Sequence, residues 1–292
     1  MKRLLALIRE WFYTKVDPLE KLKIRKLRRT HRIVQIRSLI PYFEGTTTFA
    51  FATGGSLSNL SGLERVKDHN VLMLTTAPVQ FFRLYGVMPN LWLIHNPESV
   101  TMAAQAIKHH GLEDSIDFRN TFVLVPDNNS ASKIRFSSKR MRTLRNVIGE
   151  TNYVLYDEQV YDSRQKIRIP GGYAKVGYEP IRTMNGSSVE ASFIPFLGYL
   201  GIKTIYFGGV DHMDTGHFWD REDPWQNADG SPKTFTDSEW VMESGHLAIE
   251  HLKEAGISVL RLEKEETMLK HYPYIDFEEA LARSSERVLP VR

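Results

Sequence analysis

The sequence contains no cysteine, which excludes disulfide scaffolds, Cys-ligated zinc, iron–sulfur clusters and thiol catalysis and fits a reducing compartment. Long apolar runs are missing as well. The longest uncharged stretch, Gly45 to Leu63, is mostly Thr, Ser, Gly and Asn and is too polar to cross a bilayer. Residues 1–13 are not a secretory signal, because Arg9 and Glu10 interrupt the apolar stretch and no small-residue cleavage site follows. There is no internal repeat, no GxGxxG fingerprint and no Walker lysine. What remains is 42% apolar and 25% charged over 292 residues. That composition excludes a disordered tail protein and a collagen-like fibre, and the length is enough to bury a substantial core.

Net charge is also low, at +3, but the average hides a division. Residues 1–40 carry twelve Lys/Arg against Glu10, Asp17 and Glu20, a local +9, and the remaining 252 residues are −6. Within the arm, Leu4, Leu5, Ile8, Trp11 and Phe12 fall on one helical stripe flanked by Lys2, Arg3 and Arg9. Such a basic amphipathic helix suits an anionic membrane interface; packing on its own domain or on a neighbouring subunit explains it equally well. The expected organisation is a helical extension over 1–40 and a single body over 41–292.

The body alternates β-rich runs with helical patterns. Strands are expected at Thr47–Thr53, Val71–Thr75, Leu91–His95, Thr121–Val125, Tyr153–Tyr156, Thr204–Gly208 and Ile257–Arg261, with helices near 98–110, 137–149, 187–200 and 238–254. Strands apolar throughout and separated by crossovers indicate a parallel sheet covered on both faces. The expected fold is therefore α/β: Rossmann-like, doubly wound, with a mainly parallel sheet. Residues 212–237 show no periodicity and many turn formers, as expected of a lid-like loop over a site.

Open α/β sheets bind ligands at the carboxyl ends of their strands, and four such ends carry polar residues. The first strand runs into Gly54-Gly55-Ser56, where glycine amides can approach a phosphate or ribose; an ordinary strand-to-helix turn would look the same. The third ends in His95-Asn96-Pro97, either facing the same crevice or starting a turn. Asn185-Gly186-Ser187 opens a predicted helix, where free amides favour an anion and where Asn185 or Ser187 also serves as a plain N-cap. Asp211-His212 follows the strand Thr204–Gly208. A base working near neutral pH is most naturally a histidine: His217 lies in the long loop and His246 in a predicted helix. Asp211, Asp214 and Asp220 lack metal-ligand spacing, so no metal is expected.

Strand–GGSL, strand–TTAPVQFF, strand–HNP and then NGSSVEASFIPFLGYLGIKTIYFGGVD occur in an order that resembles the bacterial CMP-sialic-acid-dependent sialyltransferases of lipooligosaccharide. The order is also similar to the wider superfamily of motility accessory factors and hydroxymethylpterin-pyrophosphokinase-like proteins. The resemblance covers about residues 47–261. It implies that Thr53, Gly54, Gly55 and Ser56 occupy the family's Asn-Gly-Pro-Ser nucleotide turn, with Thr53 replacing the asparagine. Thr76 falls in the stretch of a second family asparagine, Asn96 matches the cytidine-contacting Asn-Pro, and Asn185, Gly186 and Ser187 match a Thr-Ser-Gly turn at donor phosphate and sugar. Met213 and Trp219 stand where the family has two tyrosines beside the departing phosphate. The Gly-Val-Asp-His and His-Phe pattern of the wider superfamily implies Asp211 and His212 as site residues and His217 as base, with His246 competing.

The function this implies is an inverting, metal-independent transfer of a nonulosonic or Kdo-type sugar from a CMP-activated donor to a glycan or glycolipid hydroxyl. No cofactor is expected beyond the donor. The expected setting is cytoplasmic, with the arm meeting the inner face of the membrane or a second copy of the chain. Two other readings stand beside it: an Mg²⁺-dependent pterin-alcohol diphosphokinase, which the His-Asn-Pro turn does not favour because that chemistry needs carboxylates, and a non-catalytic nucleotide-binding protein tethered by its arm. Nucleic acid is not an expected partner, since the arm's cations interleave with Leu and Ile and no nucleic-acid motif follows.

Overall fold

The computed structural model describes residues 33–94, 97–129, 134–135, 146, 148–149, 152–161, 181–184, 194–210, 218, 252–253, 256–264 and 272–287. Its strands are β1 (Ile33–Gln35), β2 (Thr47–Phe51), β3 (Val71–Leu74), β4 (Leu91–Leu93), β5 (Phe122–Asn129), β6 (Ile134–Arg135), β7 (Asn152–Tyr161), β8 (Ile181–Met184), β9 (Thr204–Gly208) and β10 (Ser258–Arg261). Helices are α1 (Ile40–Phe43), α2 (Ala77–Tyr85), α3 (Pro97–His109), α4 (Ile194–Tyr199) and α5 (Phe277–Arg283). One sheet runs in the order β1-β7-β5-β4-β3-β2-β9-β10, with β6 beside β5 and β8 beside β7. Every pairing is parallel except β5–β6. The α/β, mainly parallel fold is as expected, and all seven predicted strands fall on observed ones.

The central strands are rich in apolar residues because each is buried on both faces and its side chains alternate between two cores. Along β2, Ala50 packs in one core with Leu72, Leu91, Leu93, Leu124 and Phe207, while Phe49 and Phe51 pack in the other with Val71, Met73 and Tyr206. Phe43 of α1 and Phe196 and Leu197 of α4 close the first face. Ala77 and Phe81 of α2 and Ala280 and Leu281 of α5 close the second. A third cluster lies under α3, where Val100, Ala103 and Ile107 cover Trp92 and Val123. Fully burying one such Leu or Phe contributes about 1.5–3 kcal/mol, so the sheet centre carries much of the stability.

Three sequence expectations change. Within the expected helical extension, Ile33–Gln35 is instead an edge strand paired with Tyr153–Leu155 of β7, and Leu39 is fully buried in the core. The sheet has already begun by Ile33; residues 1–32 lie outside the described set. Helix α2 is additional to the expected helices, although its signals are present: a proline in its first turn, and Gly86 at φ 68° after its last, whose amide caps Phe82 O. Helix α5 is additional too; Asp276 caps it by accepting from the Glu278 amide at 3.0 Å. Of the expected helices, 98–110 is found as α3 and part of 187–200 as α4, while 137–149 and 238–254 lie almost wholly outside the described residues, as does the 212–237 loop apart from Phe218. Among the described residues no helix is long and apolar enough to cross a membrane.

Candidate functional site

Chain order runs outward from β2 in both directions, through β3, β4, β5 and β7 on one side and β9 and β10 on the other. The winding therefore reverses between β2 and β9. In an open α/β sheet the ligand crevice lies outside the carboxyl ends of the strands at that reversal. Here it is framed by Ala52–Ser56 after β2 and Gly209–Val210 after β9.

Local structure explains why glycines stand there. After Phe51 the chain leaves the sheet and turns into a short 3₁₀ helix over Gly55–Asn59, which drops Leu57, fully buried, onto the end of β9. A Cβ at Gly208 or Gly209 would sit 2.8 Å from a Leu57 methyl, and Gly209 has φ +72°. No other residue type accommodates both demands at 209. The two turns are then bonded directly: the Ala52 amide donates to Gly208 O at 2.9 Å and the Gly54 amide to Gly209 O at 2.8 Å.

A carboxylate locks this junction. Glu263, two residues beyond β10 and only 4% exposed, accepts the Ser56 hydroxyl at 3.1 Å and the Gly209 amide at 2.5 Å on the same oxygen, Oε1. Charge-assisted bonds of this kind are stronger than neutral ones. Ser56 thus directs its hydroxyl to Glu263, and the Gly54 amide donates to Gly209 O.

The neighbouring strand end carries backbone strain. Thr75, directly after β3, has φ 53°, a left-handed conformation that a β-branched residue seldom adopts and that costs on the order of 1–3 kcal/mol. It is held in place by the Trp92 indole, whose Nε1–H donates to Thr75 O at 2.6 Å, and by its own amide on Leu93 O at 3.0 Å. Thr76 follows at the start of α2, 6% exposed, with no side-chain cap bond to that helix.

One further contact brings Phe218 to this edge. The Phe218 amide donates to Thr53 O at 3.2 Å, and its ring, 4% exposed, packs on Phe81 and Tyr85 at 5.9 and 6.5 Å. Of the residues expected at a site, Thr53, Gly54, Gly55, Ser56 and Thr76 thus cluster at the carboxyl ends of β2 and β3. His95, Asn96, Asn185, Gly186, Ser187, Asp211, His212, His217, Trp219 and His246 lie outside the described residues.

Beside Glu263 a cavity of about 370 Å³ opens, with Ser56, Glu263, Tyr274 and Glu278 among its walls. Glu278 pairs with Arg65, and that carboxylate holds the Arg65 guanidinium above its ordinary pKa. Sequence reasoning misses Glu263 and this cavity. The available signal is a glutamate just beyond the last predicted strand, at the same edge as the glycine turns.

No protein-family model matches this chain, and no curated protein does. Among solved structures it is similar to the Campylobacter jejuni sialyltransferase CstII with the substrate analogue cytidine-5'-monophosphate: 14% identity, 85% of this chain, 91% of that one, TM-score 0.47. The same enzyme with CMP-3FNeuAc matches at 12% identity over 85% and 91%, TM-score 0.44. The monofunctional alpha-2,3-sialyltransferase Cst-I of the same organism matches at 16% identity over 85% of each chain, TM-score 0.43.

Proposed function

We propose that this chain is a glycosyltransferase that moves a nonulosonic or Kdo-type sugar from a CMP-activated donor to a glycan or glycolipid hydroxyl. The observation that carries the reading is the crevice at the β2–β9 reversal, where the glycine turns of the proposed nucleotide motif meet. The resemblance of the motif order supports the choice of donor.

In the proposed reaction the acceptor oxygen attacks the anomeric carbon, the bond from that carbon to the phosphate oxygen breaks, and CMP leaves with the electron pair. The acceptor proton passes to a histidine. His217 is assigned this role over His246 through the resemblance, and Phe218, next in sequence, donates its amide to Thr53 O at the end of β2. The leaving group is already activated, so the protein's tasks are to position, to stabilise phosphate charge and to deprotonate, none of which calls for a metal. Asn96, Asn185, Gly186, Ser187, Asp211, His212 and Trp219 are assigned to nucleotide and donor through the resemblance. The Thr76 hydroxyl joins them at the strained turn after β3.

Thermal shift with CMP, UDP, GDP and ATP tests the reading. Selective stabilisation by CMP is expected, and stabilisation by ATP alone overturns it. His217→Ala is expected to abolish transfer while keeping the CMP shift; full transfer in that variant removes His217 as base. Retention of activity in EDTA is expected, and its loss favours the diphosphokinase alternative. The basic arm is assigned to an anionic membrane surface. Flotation with anionic liposomes should be lost in a chain beginning at Ile33, and equal flotation of both chains removes that role.

A further inference from the structure

The cavity beside Glu263 is chemically unlike a nucleotide site. Its charged lining is three carboxylates, Glu263, Asp276 and Glu278, and one ammonium, Lys264. With Arg65 counted against Glu278 the carboxylates still exceed the cations. An anionic phosphate or sugar acid would be repelled there.

The rest of the wall suits an uncharged polyhydroxylated ligand. Asn59 and Ser61 supply groups that both donate and accept, Lys264 only donates, and the carboxylates only accept. Sugar hydroxyls need both kinds of partner. Leu60, Leu262 and Phe277 add apolar surface. Tyr274, at 37% exposure the one large apolar side chain exposed among the described residues, supplies an aromatic ring, with Lys264 Nζ 5.9 Å from its centroid. A volume of about 370 Å³ lies at the small end of the roughly 300–1,000 Å³ span of small-molecule sites.

Position completes the argument. Ser56 and Glu263 belong both to the cavity wall and to the bonds that fasten the β2 and β9 turns, so an occupant of the cavity adjoins the proposed donor crevice. We infer that the cavity is the acceptor subsite and takes a neutral sugar residue. This rests on the transferase reading above, because the label of acceptor requires a donor in the crevice.

Saturation-transfer NMR on the full chain tests it. The probes are lactose and the methyl glycosides of galactose, glucose and N-acetylglucosamine, with N-acetylneuraminic acid as the anionic control. At least one neutral glycoside is expected to give a signal, stronger than the control. Tyr274→Ala should weaken its binding about tenfold, the loss of one aromatic contact, and Tyr274→Phe should restore it. The CMP thermal shift should stay unchanged in both variants, which also reports that they fold. Equal binding by Tyr274→Ala, a preference for the anionic sugar, or no signal from any neutral probe overturns the inference. A Tyr274-dependent sugar signal in a chain that CMP does not stabilise overturns the transferase reading while leaving the sugar site standing.

Discussion

The amino-terminal and carboxyl-terminal ends of the same parallel strands are finished in different ways. At the amino-terminal ends, buried polar groups bond one another and the backbone. Asn90, fully buried, accepts the Val71 amide at 2.8 Å and donates to Asn70 Oδ1 at 3.2 Å, and Thr121 donates to Pro89 O at 2.8 Å. The C-terminal segment is sewn along this edge: Ser285 exchanges bonds with Thr47 at 2.9 and 3.2 Å, Ser284 Oγ meets His69 Nδ1 at 2.6 Å, and the Arg287 amide donates to Asp68 O at 2.8 Å. Burial lowers the Arg287 guanidinium pKa, with Asp68 opposing that shift.

At the carboxyl-terminal ends the same strands finish in glycine turns, a strained threonine, a buried carboxylate and an open cavity. One edge is closed by its bonds and the other carries stress. Strained residues cluster at ligand sites, so the contrast supports the proposed site at this edge independently of any motif.

Four substitutions press on this contrast, taken from the largest effect to the smallest. Gly209→Ala places a Cβ 2.8 Å from Leu57 at φ +72°; it should cost about 3 kcal/mol or more, from strain and overpacking together, and remove the CMP thermal shift. Asn90→Ala should cost about 2 kcal/mol by leaving the buried Val71 amide unpaired, yet keep the CMP shift relative to its own lowered Tm. If Asn90→Ala abolishes nucleotide binding, the division of labour between the edges is wrong. Glu263→Gln keeps the shape but replaces a charged acceptor, so it should cost about 1 kcal/mol in chemical denaturation and weaken CMP affinity about tenfold in calorimetry, equivalent to roughly 1.4 kcal/mol. Unchanged affinity would leave Glu263 a packing residue only. Thr75→Gly relieves the left-handed strain and should stabilise the chain by about 0.5–1 kcal/mol, less than the strain itself because glycine gains freedom in the unfolded chain. It should also loosen nucleotide binding, and a destabilised variant would refute the strain assignment.

Much of the fold is legible in the sequence because its signals are local. Val71–Leu74 and Leu91–Leu93 are apolar throughout, as strands buried on both faces must be, and Gly54-Gly55-Ser56 at a strand end points to the edge where the strained Thr75 and the buried Glu263 also lie. The role of Ser56 is not legible. Its partner Glu263 is 207 residues away, and nothing near either residue announces the pairing. The arm misleads for a similar reason: Ile33–Gln35 sits in a basic segment expected to be helical, and its register with Tyr153–Leu155 makes it a strand.

The sequence by itself therefore determined the element types of the sheet, the crossover connections and the edge where polar residues gather, because periodicity and turn chemistry act over a few residues. Tertiary structure alone decided the strand order, the reversal between β2 and β9, and the clamp of Glu263 on Ser56 and Gly209. Those depend on which distant segments bury their surfaces together, and a hydrogen bond closed across hundreds of residues leaves no pattern along the chain.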